Sequence, residues 1–203
     1  MSLEEARKLI RVIPRKHKSI LEHVSWTFLV TGISRACSHE MVRHRHLSFS
    51  QRSQRYVDEQ NASFSVPARL IQIMGEEVVK QILNQFQVAY RAALEAYAAE
   101  GIVGEEANQD ARYFLPNATE TIKTATGNGS GLLNFFNLRM CHRAQEEIRY
   151  VAQQMFQQVY ETAPSIFEDA GPDCLTIGCR ERKRSCGLAD KVREEIAELK
   201  KRL

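Results

Sequence analysis

The stretch between Gly75 and Gly101 constrains the fold most. Val79, Ile82, Leu83, Phe86, Tyr90, Ala93, Leu94 and Tyr97 recur there at helical spacing, and Gly101 suits the position just past a helix end. Further helical patterns surround it. Residues 4–13 offer Leu9, Ile10 and Ile13 for one face. Ser34 can cap a helix running through Met41 to about His44. A short helix is expected over Glu105–Phe114, stopping before Pro116. LLNFFNLR (132–139) begins another. Ala144–Thr162 is long and amphipathic, with Ile148, Val151, Met155, Phe156 and Val159 inward and Pro164 closing it. Leu188–Leu203 gives a charged final helix with Leu188, Val192, Ile196, Leu199 and Leu203 on one stripe.

Strand signals are fewer. HVSWTFLVT (23–31) is rich in β-branched and aromatic residues, roughly alternates, and is ended by Gly32. ATETIKTAT (118–126) is dense in threonine and reads as a second strand. GNGSG (127–131) reads as a turn, and HLSFSQRSQRY (46–56) as a loop with extended character. Residues 165–187 look irregular. Strands that are few and separated by helices predict a helix-rich α+β domain.

At 203 residues the chain suits one domain with a core of its own. Hydrophobic residues at 43% and charged residues at 26% are ordinary globular values and exclude global disorder. No apolar run is long enough to cross a bilayer, and MSLEEARKLI lacks a signal-peptide core, so a cytoplasmic location is the expectation. Cys37 and Cys141 read as buried free thiols. Cys174, Cys179 and Cys186 cluster in GPDCLTIGCRERKRSCG, but their spacing matches no zinc pattern with paired short gaps, and no metal is expected.

The net charge of +3 does not by itself imply nucleic-acid binding. Its distribution matters more, because four arginines and two histidines fall within Arg43–Arg55. Arginine keeps its proton and offers a planar fork of donors, which matches a phosphate or an imide edge. Serine hydroxyls and backbone N–H groups can complete a phosphate cradle. From composition alone a solvated basic face remains the simpler reading. Ser53 has no Ser-His-Asp pattern around it, which favours a phosphate-binding hydroxyl over a nucleophile. His44 and His46 lack a third nearby ligand for a metal.

The order Arg43-His44-Arg45, seven residues, Ser53, one residue, Arg55 closely resembles the signature of the flavin-dependent thymidylate synthases, the ThyX family. HKSILEHVSWTF and TGISRACSHEMV before it, and DARYFLPNATET, TGNGSGLLNFFNLR and RAQEEIR after it, resemble family segments in order and spacing. The resemblance runs from about Arg15 to about Phe167. It implies a helix-rich α+β domain around a small antiparallel sheet, assembled as a homotetramer with active sites shared between subunits. It divides the chain into a catalytic domain over 1–170 and an extension over 171–203. The family's first strand and early helix have no counterpart before Met1.

The implied reaction is reductive methylation of dUMP to dTMP, with 5,10-methylenetetrahydrofolate as carbon donor and NADPH or NADH as reductant through FAD. The resemblance assigns dUMP contacts to Glu40, Met41, Val42, Arg43, Gln51, Arg52, Ser53, Gln54 and Arg55, and to Arg112 from another subunit. It assigns FAD contacts to Ser19, Arg43, His44, Arg45, Gln51, Asn128, Gly129, Ser130 and Asn134. Arg139, in NLR, takes the position that activates the uracil ring. C5 of uracil is a poor nucleophile, and a permanent cation facing N3 and O2 stabilises the charge that develops there. His17 and His23 either help shape the flavin site or serve in packing or capping. Gln51 stands where some members carry glutamate, and Arg143 where some carry histidine. Two rivals are a nucleic-acid-binding module using the Arg43–Arg55 patch and a structural paralogue that binds nucleotide without turnover.

Overall fold

The computed structural model describes residues 1–201. Leu203 and the side chain of Ile13, both expected on apolar stripes, lie outside the described residues. The helices are α1 (Leu3–Lys16), α2 (Arg35–Met41), α3 (Ala68–Met74), α4 (Glu76–Ala99), α5 (Glu105–Ala111), α6 (Gly129–Arg139), α7 (Glu146–Thr162), α8 (Pro164–Phe167) and α9 (Ala189–Lys201). The strands β1 (Ser25–Ser34), β2 (Leu47–Gln51) and β3 (Glu120–Asn128) form one small antiparallel sheet in the order β1-β3-β2. The helix-rich α+β expectation holds.

By packing, the chain forms two compact units. The first comprises Met1–Phe28, Met41–Phe49 and Ala125–Leu203; the second comprises Leu29–Glu40 and Ser50–Thr124.

The core of the first unit is aromatic. Phe136 meets Phe135, Phe156 and Phe167 edge to face at centroid distances of 6.0, 5.7 and 5.8 Å. Trp26 extends the cluster through Phe167 at 5.2 Å and donates its indole N–H to Thr162 Oγ1. Such edge contacts add about 0.5–1.5 kcal/mol each beyond area burial. α7 buries Ile148, Val151, Met155, Phe156 and Val159, the face its periodicity predicts. Pro164 begins α8 as its first residue instead of only closing α7, because proline's missing N–H costs nothing in a first turn. In α9, Val192 and Ile196 are buried as expected, while Leu188 stays exposed.

GNGSG is not a free turn. Gly127 and Asn128 finish β3, and Asn128 caps α6 by accepting from the Gly131 N–H at 2.8 Å. Gly131 is required for close approach, since a Cβ there would stand 2.9 Å from the His46 carbonyl oxygen.

In the second unit, Ser34 Oγ accepts from the Cys37 N–H at 3.0 Å and starts α2 as predicted. α2 stops at Met41, three residues short of His44, and β1 runs through Gly32 to Ser34. α4 ends as its sequence requires: Ile102 N–H reaches Tyr97 O and Gly101 N–H reaches Ala98 O, with Gly101 at φ +76°. Its apolar face is another matter. Of the periodic residues only Val79 and Tyr90 are buried, and Ile82 and Phe86 are exposed. α3 buries none of its residues, and Ile73 is 73% exposed.

Candidate active site

The predicted site residues fall into both units, and each set has its own geometry.

In the first unit, the turn after α2 carries Arg43 and Arg45 on the surface and His44 inward. His44 is only 7% exposed, with its ring edge-on to Phe135 at 4.8 Å. Arg139, the last residue of α6, donates from Nε to His44 Nε2 at 2.7 Å. An accepting Nε2 means that the proton sits on Nδ1 and the ring is neutral. Burial, then the Arg139 charge, pull the His44 pKa from 6.5 down to about 4. The arginine expected to face the substrate is therefore held by a partner that does not neutralise it.

Met41 is fully buried and Val42 is exposed. Ser19 lies exposed on the 3₁₀ segment Lys18–His23, and Asn134 lies exposed on α6. Ser130 is half-buried. The Gly129 N–H is taken by the Val24 carbonyl, and the Asn128 side-chain oxygen by its cap bond. Among these first-unit positions, Arg43, Arg45, Ser19 and Asn134 thus offer exposed donors.

In the second unit, β2 delivers the end of the signature. The segment expected to be a loop begins as a strand, with Leu47, Phe49 and Gln51 on its more buried face. Gln51 Oε1 accepts from Ser38 Oγ at 2.6 Å. Arg52 donates from Nη2 to both carboxylate oxygens of Glu59 at 3.0 Å. Glu59 is 3% exposed, and burial raises its pKa against the lowering effect of Arg52. Ser53 Oγ accepts from the Arg55 N–H at 3.2 Å, forming a local turn. Gln54 is buried, Glu40 half-buried. Arg55 pairs with Glu105, and Arg112 donates from Nε to the Gln109 carbonyl at 3.1 Å.

The Nε atoms of Arg52 and Arg55 are buried and have no acceptor among the described residues. Two orphaned cationic donors three residues apart in the signature fit an anionic ligand. A polar cavity of about 420 Å³ opens beside Arg52, lined also by Thr31, Glu59, Asn61, Ser63 and Thr121.

Three features escaped sequence reasoning. Lys123, an unremarked residue of the threonine-rich strand, is 1% exposed and bonds Ser38. The His44–Arg139 pair joins residues that no local pattern connects. Cys141, Cys174, Cys179 and Cys186 line one cavity of about 390 Å³ in the first unit, yet among the described residues no three His, Cys, Asp or Glu side chains form a set able to hold a metal ion.

The family described as thymidylate synthase complementing protein matches residues 1–165. The flavin-dependent thymidylate synthase of Geobacter sulfurreducens is 43% identical, over 94% of this chain and 80% of that protein. The UMP/dUMP methylase PolB from Streptomyces cacaoi, solved with 5-Br dUMP, is 27% identical with a TM-score of 0.66, covering 84% of this chain and 83% of that one. The ThyX of Helicobacter pylori, solved with FAD and dUMP, shares the fold at 24% identity and a TM-score of 0.65, covering 82% of this chain and 84% of that one. A family match across most of the chain, together with a relative above 40% identity, places this protein in the thymidylate synthase complementing protein family, the flavin-dependent thymidylate synthases.

Proposed function

We propose that this chain is a flavin-dependent thymidylate synthase that converts dUMP to dTMP, with 5,10-methylenetetrahydrofolate as carbon donor and NADPH or NADH as reductant through FAD. One observation carries the chemical reading: Arg139 is a permanent cation fixed at a helix end by a neutral histidine. Facing N3 and O2 of uracil, it stabilises the negative charge that builds there as C5 becomes nucleophilic, and no covalent bond to the protein is needed. FAD, when bound, supplies the hydride that completes the methyl group. The protein's part is to bind, orient and hold charge.

The donors at Arg43, Arg45, Ser19, Ser130 and Asn134 suit the oxygens of FAD, and His44, Asn128 and Gly129 complete that set. For dUMP, Arg52, Ser53, Gln54 and Arg55 suit the phosphate and sugar. The orphaned Nε atoms support an anion there. Glu40, Met41, Val42, Arg43, Gln51 and Arg112 complete that set, and Arg139 belongs to the base.

The working assembly is a homotetramer, with Arg43–Arg55 and Arg112 supplied by different chains. The exposed apolar residues of α3 and α4 support this, since Ile73 on α3 and Val78, Ile82 and Phe86 on one face of α4 leave hydrophobic surface that a second copy would cover. Residues 1–170 form the catalytic domain and 171–203 an extension. Among the described residues no helix is long and apolar enough to cross a membrane, and a cytoplasmic site of action fits the substrates.

Release of tritium from [5-³H]dUMP, with folate, FAD and NADPH present, tests the reaction. Bound flavin and dUMP without release would favour the non-catalytic paralogue. A colourless protein that binds nucleic acid would favour the basic module.

A further inference from the structure

The inward face of β3 carries Thr121, Lys123, Ala125 and Gly127. A lysine at such a position is physically costly. An ammonium removed from water loses several kcal/mol of hydration unless strong partners replace it. An aliphatic side chain would fill the same space without that cost. At Lys123 the partners are specific: Nζ lies 3.2 Å from the Ser38 carbonyl oxygen and 3.0 Å from Ser38 Oγ. Ser38 is itself 3% exposed, on the inner side of α2.

Donor and acceptor rules set the direction of the chain. A protonated Nζ can only donate, so Ser38 Oγ accepts from it. The Ser38 hydroxyl proton is then directed at Gln51 Oε1, 2.6 Å away. With Oε1 engaged by that donor, the two N–H bonds of Gln51 Nε2 are the end left to present to a ligand. Burial and the nearby Arg35 charge lower the Lys123 pKa to about 8, countered in part by Cys37, so the ammonium persists at neutral pH.

We propose that Lys123 and Ser38 are positioning residues for the nucleotide site, forming a relay that fixes the amide of Gln51 with its N–H donors toward the ligand. The relay rests on the reading of Gln51 as a ligand-contacting residue. It makes position 51 a donor, suited to a phosphate, sugar or carbonyl oxygen. A glutamate there would offer an acceptor instead, with a negative charge in reach of Lys123 through the same serine. With glutamine at 51, Lys123 thereby decides which end of the amide faces the ligand, since without it Ser38 Oγ is free to accept from Nε2 instead.

The test uses the FAD-loaded enzyme, four single variants, Gln51→Ala, Ser38→Ala, Ser38→Thr and Lys123→Met, and two double variants, Gln51→Ala/Ser38→Ala and Gln51→Ala/Lys123→Met. Dissociation constants are measured for dUMP and, on the flavin-free protein, for FAD. Thermal melts check folding of Lys123→Met, and Ser38→Ala carries the test alone if that variant is unstable. Losing one neutral hydrogen bond should weaken the affected ligand roughly three- to ten-fold. Ser38→Thr keeps a hydroxyl and should restore most of the loss. On the Gln51→Ala background, Ser38→Ala and Lys123→Met should cost nothing further, because their route to the ligand is gone. Equal losses with and without Gln51 would mean a general structural role and would overturn the relay. Gln51→Ala that changes neither ligand would instead remove the reading of Gln51 on which the relay rests. A crystal structure of Ser38→Ala separates the two failures: the relay requires the Gln51 amide to leave its present orientation, whatever the affinities do.

Discussion

Arg139 donates its Nε–H to the buried Nε2 of His44 at 2.7 Å, which locks the imidazole in its neutral form. The pairing has a measurable consequence for stability. The unfolded chain protonates His44 near its ordinary 6.5, whereas the folded chain resists until about 4. Between those values the unfolded state binds more protons, so acid favours unfolding. The stability tied to neutral His44 is complete above about pH 6.5 and is lost as pH falls toward 4. His44→Gln can still accept from Arg139 but cannot titrate. Urea denaturation from pH 4 to 6.5 should therefore show a shallower pH slope for this variant, by at most about 1.4 kcal/mol per pH unit, one proton's worth. Superimposable slopes would mean that His44 titrates normally in the fold.

Arg52 and Glu59 should behave as a coupled pair. Glu59 is 3% exposed and accepts from Arg52 Nη2 at both carboxylate oxygens. Arg52→Met leaves a buried carboxylate with the weaker influence of Arg35 opposed by Asp58, and should cost about 3–5 kcal/mol. The double variant Arg52→Met/Glu59→Met should recover much of that loss. Strictly additive effects in a double-mutant cycle would show that the pair is not energetically linked.

The Ser34 cap offers a simpler measurement. Ser34→Ala removes the acceptor for the Cys37 N–H and should lower stability by about 0.5–2 kcal/mol, while Ser34→Asp or Ser34→Asn retains a capping oxygen. An unchanged denaturation midpoint in Ser34→Ala would mean that α2 is held by packing alone.

Ser34 and Gly101 were legible in the sequence because caps are local: the residue type and the helix end lie within one turn of each other. The buried face of α7 was legible for the same reason. β2 was not, because Leu47 and Phe49 are its only apolar residues and the serines between them resemble a loop. The closeness of Gly131 to His46 turned an expected turn into a packed helix start, a tertiary demand that composition does not state. Neither did any pattern announce Lys123, since threonines on both faces of ATETIKTAT hide which side is inward. The candidate site divides likewise. Its residues were found by resemblance to a signature, but the partners that set their chemistry, His44 for Arg139 and Glu59 for Arg52, are visible only in three dimensions.

The decisive comparison concerns Arg139 and Ser53. If Arg139 stabilises charge on the uracil edge, its loss should matter most when C5 becomes nucleophilic. Arg139→Ala should leave FAD bound and should depress methyl transfer far more than reduction of FAD by NADPH. Removing one preorganised electrostatic stabiliser commonly costs ~10²–10³ in rate. Lysine can still donate one bond to His44 Nε2 but lacks the planar fork, so Arg139→Lys should rescue only in part. Arg139→Ala should also move the His44 titration upward, because the charge that helps to suppress it is gone. Ser53 is a contrasting case. Its Oγ accepts from the Arg55 N–H in a local turn, and among the described residues no hydrogen bond joins it to a base. Activation of a serine hydroxyl requires such a base. Ser53→Ala should therefore weaken dUMP binding yet keep measurable methyl transfer at saturating dUMP. An inactive Ser53→Ala beside a fully active Arg139→Ala would sink the electrostatic mechanism and bring a serine nucleophile back into consideration.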